Sequence, residues 1–142
     1  MSSKYKYEKP QNFATVFIPY EDRSGKTARL IAELAEIKET HYCEMKAGKR
    51  KPSRFHLYKI CLTLKLTPEE AISVFHNYEG AWDLQSSDLF DVIFLNFLDQ
   101  KNYSIDEFKS VLRSSYKDLR SPQKQNTKRH IELPLDEQNY NR

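Results

Sequence analysis

From Thr27 onward the apolar positions recur at helical spacing. Leu30, Ile31, Leu34 and Ala35 form a first stripe among Ala, Leu and Glu, all good helix formers. A second stripe covers Glu39 to Ala47 with Tyr42 and Met45 inward. Gly48 stands where a helix end wants a left-handed residue, and Pro52 prevents continuation. Ser53 is placed to cap a third helix, whose inward face is Leu57, Ile60, Cys61 and Leu64. Thr67-Pro68-Glu69-Glu70 predicts the start of a fourth. The threonine side chain accepts from exposed amides, proline fits the first helical position, and Glu70 closes a capping box. That helix runs through Ile72, Val74, Phe75 and Tyr78 and ends at Gly80. Asp88 to Asp99 is apolar nearly all round and therefore has to be buried on most sides. Ser104 to Glu107 repeats the capping-box pattern and opens a helix with Ile105, Phe108, Val111, Leu112 and Tyr116 inward.

The two ends break this pattern. "FATVFIPY", residues 13–20, is rich in β-branched and aromatic residues and contains Pro19. It reads as a short edge strand or an extended arm, with an irregular first helix as the alternative. The loop at 21–26 offers Ser24 as a cap. From about Ser121 the chain is Gln/Asn-rich and weakly hydrophobic, the composition of a disordered tail. The expected organisation is an N-terminal arm or edge strand over 1–26, a helical domain over 27–120 and a tail over 121–142. The fold class is mostly α.

Composition narrows the chemistry. With 142 residues, one domain with a proper core is the default. Three glycines and no Asn-Gly or Asp-Gly turn argue against a many-stranded sandwich or barrel. The N-terminus lacks the apolar core of a signal peptide, and the longest apolar run, "LFDVIFLNFL", is too short to span a bilayer, so a cytoplasmic protein without membrane contact is expected. Cys43 and Cys61 form neither a zinc pattern nor a disulfide framework, and buried free thiols are the expected reading. His41, His56, His76 and His130 have no metal-ligand spacing. Neither a Gly-rich phosphate loop nor a Ser/His/Asp signature is present. Trp82 and the aromatic run at 90–97 read as core or interface residues. No enzyme, cofactor or metal is expected.

The charge is uneven. Six basic residues and two acidic ones fall between Lys38 and Arg54, a surplus of four on a chain whose total is +3. Such clustering is the footprint expected for a polyanion, or simply a solvated lysine-rich face. A DNA-reading pair of helices needs small and apolar residues where the two touch. Counted from Ala28, the positions that lock such a pair are Ile31, Ala32, Ala35, Ile37, Tyr42 and Met45, all apolar or small. Glu39, Thr40, Cys43 and Glu44 would then face outward.

Downstream, Gly48-Lys49-Arg50-Lys51-Pro52-Ser53 is followed by Leu57, Ile60 and Leu64, then by Leu66-Thr67-Pro68-Glu69-Glu70. With the preceding helices, residues of about 27–78 resemble the Cro/repressor-type (xenobiotic-response-element type) helix-turn-helix family. The resemblance implies a recognition helix ending at a Gly-basic loop. It departs from the family at the tight turn, where Glu36 replaces the usual glycine, and in lacking a recognisable helix before the bracing one.

The resemblance implies a sequence-specific double-stranded DNA-binding protein. A small, homodimeric transcriptional regulator or repressor of a mobile element fits it. Lys49, Arg50, Lys51 and Arg54 would anchor phosphates, while Glu39, Thr40 and Glu44 would face base edges. Lys38, His41, Cys43 and Ser53 complete the expected interface. The helices at 88–99 and 104–119 would complete the core and supply the dimer surface. The alternative, suggested by the two glutamates on the reading face, is the same scaffold serving as a protein-interaction module: an antitoxin, an inhibitor, or an accessory factor of a DNA-processing complex.

Overall fold

The computed structural model describes residues 11–119, with side chains as far as residue 116. The tail expected at 121–142, including His130, lies outside the described residues. Seven helices follow one another: α1 (Phe13–Ser24), α2 (Ala28–Leu34), α3 (Glu39–Lys46), α4 (Arg54–Thr63), α5 (Pro68–Asn77), α6 (Leu89–Asp99) and α7 (Ile105–Leu119). Among the described residues the mostly-α class holds, and no helix is long and apolar enough to cross a membrane.

The N-terminal segment takes the alternative, a first helix, in place of the expected strand or arm. Phe13–Ser24 is a helix capped by Asn12, whose side chain accepts from the Thr15 amide at 2.8 Å. Its buried residues are Phe13, Val16, Phe17 and Glu21, a helical rather than an alternating spacing. Pro19 removes one backbone donor, but Thr15 and Pro19 are both exposed, so the freed carbonyl lies on the wet side. Burial of one aromatic face thus overrides the β-branched composition. Residues 21–24, expected in a loop, form the last turn of α1, and the cap of α2 is Thr27 rather than Ser24.

α2 and α3 are joined by a tight turn at Ala35–Lys38. Glu36 adopts φ 59°, the left-handed conformation that usually calls for glycine. Its amide donates to the Glu33 carbonyl at 3.1 Å and the Ile37 amide to the Ala32 carbonyl at 2.9 Å, which closes a Schellman stop. A glutamate therefore holds the left-handed position where glycine is usual, and the turn closes all the same. Two lysines hold it: Lys109 Nζ lies 2.6 Å from Glu36 Oε1, and Lys59 Nζ donates to the Glu36 carbonyl at 3.3 Å. The same kind of stop recurs at Gly48, Lys65 and Lys101. Replacing Glu36 with the β-branched valine is expected to lower stability by about 1–2 kcal/mol, because the left-handed strain grows and the Lys109 pair is lost. Glu36→Gly, which relieves the strain, should leave the melting temperature within a few degrees of the parent. Equal losses in the two variants, read from urea melts, would contradict this account of the turn.

α4 is the central helix. Phe55, Leu57, Tyr58, Ile60, Cys61 and Leu62 are all buried in it. One side of the core gathers Tyr58, Phe75, Phe94 and Phe108, with ring centroids 4.7–6.3 Å apart. α6 contributes Ile93, Phe94, Phe97 and Leu98 to the core, and leaves Leu89 and Asn96 exposed. The caps of α4 and α5 match the sequence reading, Ser53 and Thr67 each making a reciprocal capping box. α5 ends earlier than expected, at Asn77. Gly80 is not its left-handed stop: the Tyr78 ring folds over it so closely that an added Cβ would lie 2.4 Å from the phenol oxygen.

Candidate nucleic-acid interface

The turn at 35–38 sets the register of α3. Ile31, Ala32, Ala35, Ile37, Tyr42 and Met45 are all buried, so the residues expected to lock the two helices do face inward. Glu39, Thr40 and Cys43 consequently stand exposed on the outer face, while Cys61 is the buried thiol. α3 is also anchored from behind by α1. Glu21, nearly buried, accepts from the Tyr42 hydroxyl at 3.1 Å and from Lys46 Nζ at 2.9 Å on each oxygen. Burial, then the Glu21 charge, pushes the Tyr42 phenol well above its ordinary pKa, so it stays a donor.

The basic cluster separates into three groups. Lys46 and Arg54 are engaged inside the protein, Arg50 is paired on the surface with Glu44 (Nε to Oε1 2.8 Å), and Lys38, Lys49 and Lys51 make no ion pair among the described residues. Gly48, at φ 79°, ends α3 and turns the chain so that Lys49 and Lys51 are exposed. The expected phosphate role of Arg54 is corrected. Its guanidinium binds the wholly buried Asp91 through Nε at 3.1 Å and Nη2 at 2.8 Å, and donates to the Trp82 and Asp83 carbonyls. It is packed between the rings of Phe75 and Trp82, with centroids 4.9 and 4.7 Å away. Such an arginine is a structural clamp, and an outside phosphate would have to displace a buried carboxylate. Ser53 serves first as the α4 cap, its Oγ accepting from the His56 amide at 3.0 Å.

His41 and His56 meet edge to face, their centroids 4.8 Å apart. His56 closes the α4 capping box by accepting the Ser53 amide on Nδ1 at 3.3 Å, which only the neutral ring can do. Burial, then the nearby Lys59 ammonium, pushes its pKa down to about 3. Burial and Arg50 lower that of His41 as well. No group of three potential metal ligands exists among the described residues.

The loop after α3 borders two clefts. One, of about 400 Å³, lies between Lys49–Lys51 and the start of α1 at Asn12 and Phe13. The other, of about 460 Å³, lies between His41, Lys51, Ser53 and the 80–82 segment. Sequence reasoning did not place Trp82 beside the basic loop. It was expected in the core or an interface, and at 64% exposure it is not a core residue. Its position in a Gly-Ala-Trp-Asp stretch between two helices, flanked by polar residues, was the available signal. No protein-family model matches the chain, and no curated protein or solved structure is significantly similar to it.

Proposed function

We propose that the chain is a sequence-specific double-stranded DNA-binding regulator in which α3 enters the major groove. The observation that supports this reading is the register of α3. Its inward residues are locked, its outward residues Glu39, Thr40 and Cys43 are free, and the unpaired ammonium groups of Lys38, Lys49 and Lys51 stand at its two ends. Helix residues supply base contacts, and flanking lysines fix the position on phosphates. Glu44 holds Arg50 in the free protein. On DNA the pair can open, the carboxylate accepting from a cytosine amino group and the guanidinium moving to a phosphate. A two-fold pair of chains, meeting through the outer stripe of α6 around Leu89 and Val92, would read a palindromic site. Repression within a mobile element is the role that suits such a chain by analogy.

The test is a duplex selection followed by titration. Selection from a random pool should recover a palindrome. Lys49→Ala with Lys51→Ala should weaken binding to all duplexes alike and reduce the salt slope by about 2. Unchanged affinity at matched salt would remove the phosphate role. Glu39 and Glu44 on the outer face favour the second reading, a protein-contact surface. In that case no duplex is enriched, and Thr40→Ala or Glu44→Ala weakens a protein partner instead.

A further inference from the structure

We propose that the cleft between Lys51 and Trp82 binds a single nucleotide unit, its base stacked on the indole and its phosphate on the lysine. The inference rests on the nucleic-acid reading above and names what this part of the surface takes. Three observations lead to it. Trp82 is the largest exposed apolar side chain, and it is held in place: Arg54 stacks at 4.7 Å from the indole centroid and donates to the Trp82 and Asp83 carbonyls at 3.0 and 3.2 Å. A ring fixed in this way presents a π-surface with little ordering left to do on binding. Second, Lys51, which makes no ion pair, lines the cleft beside Arg50 and Arg54, whose charges are met by Glu44 and Asp91 from outside it, and no Asp or Glu side chain lines it. Its field therefore favours an anion. Third, its volume of about 460 Å³ falls within the range of small-molecule sites, roughly 300–1,000 Å³.

An aromatic platform beside the unpaired ammonium of Lys51 matches the two parts of a nucleotide, a flat base and a phosphate. His41 and His56, which also line the cleft, are imidazoles with ring nitrogens suited to the polar edge of a base. A fully stacked duplex cannot offer a base face to Trp82. The nucleotide must come from an unpaired strand, from a base turned out of a helix, or from a free mononucleotide.

The chain holds one tryptophan, so its fluorescence reports this cleft alone. The probes are a short oligothymidylate, the same strand with abasic residues, thymidine monophosphate, inorganic phosphate and a blunt duplex, all at matched salt. Saturable quenching by the oligothymidylate, and none by the abasic strand or by phosphate, is expected. Quenching by thymidine monophosphate as well would identify free nucleotides as a source; quenching by the strand alone would identify single-stranded nucleic acid. Trp82→Leu, which keeps an apolar cover over Arg54, should weaken labelled-strand binding roughly tenfold by anisotropy. Lys51→Gln, an exposed change that leaves the fold untouched, should weaken quenching several-fold. Absence of quenching by both nucleotide probes, or equal quenching by the abasic strand, would overturn the proposal. Duplex affinity, followed separately by anisotropy, tests the groove-reading role of α3. Strand quenching without duplex binding would sink that role and leave this site standing.

Discussion

Asp91→Ala is expected to lower the stability of the domain by about 3–5 kcal/mol, a large part of the 5–15 kcal/mol that holds a typical domain together. Asp91 is wholly buried, and three groups converge on its carboxylate: the Arg54 guanidinium, the Tyr58 hydroxyl and the Gln85 amide. Removing it strands a cation whose side chain is only 16% exposed, and it leaves a buried hydroxyl and an amide without their acceptor. The cost therefore comes mainly from the groups left behind. A double variant makes the point testable. Arg54→Met with Asp91→Leu removes both charges and should recover the part of the loss that comes from the stranded guanidinium, while the Tyr58 hydroxyl and the Gln85 amide still lack their acceptor. Urea melts of the two single variants and the double variant decide it. A loss below about 1 kcal/mol for Asp91→Ala would mean that the pair contributes little.

Acidification should destabilise the protein through His56, with a sign opposite to that of a salt-bridged histidine. The folded-state pKa is pushed down to about 3, while the unfolded chain has the ordinary 6.5. Between those values the unfolded state binds more protons, so stability falls as pH falls through this window and is fully present above 6.5. The loss amounts to about 2 kcal/mol at pH 5 and grows further toward pH 3. The physical event is protonation of Nδ1, which abolishes its acceptance of the Ser53 amide and places a cation beside Lys59 and Arg50. His41, also held below its ordinary value, acts in the same direction. His56→Gln keeps an acceptor at this capping position and does not titrate. Its stability should therefore decline less than the parent's between pH 7 and pH 4. Parallel pH profiles for parent and variant would show that His56 is not the responsible group.

What could be read from the sequence was local. The caps Ser53 and Thr67, the stop at Gly48 and the inward residues of α2 and α3 all depend on neighbours within one or two turns. The features that escaped depend on distant partners. Arg54 looked like one more member of a basic run, and its partner Asp91 lies 37 residues away. Without that partner in view, an internal clamp and a phosphate contact look alike. α1 was hidden by composition: Thr15, Val16, Ile18 and Pro19 suggest an extended chain, yet the decisive fact is one apolar face packed on α3 and α5, with Phe13 against Tyr42 and Tyr78. For Trp82 the sequence left core and interface open; the core half is excluded because an arginine stacks on the ring while most of it stays in water.

The Glu21 clamp has a consequence for how α3 meets anything that docks on it. The carboxylate takes both Tyr42 and Lys46, so the helix is tethered near its middle and at its last turn to an element outside the turn motif. Its outer face is preorganised, and association can proceed as the docking of a rigid body. Because little ordering accompanies docking, calorimetry should show a modest heat-capacity change, set by the area covered rather than by folding on contact. Glu21→Gln weakens the tether while α3 keeps its outward residues. It converts that rigid surface into a looser one, which pays for its order at each encounter.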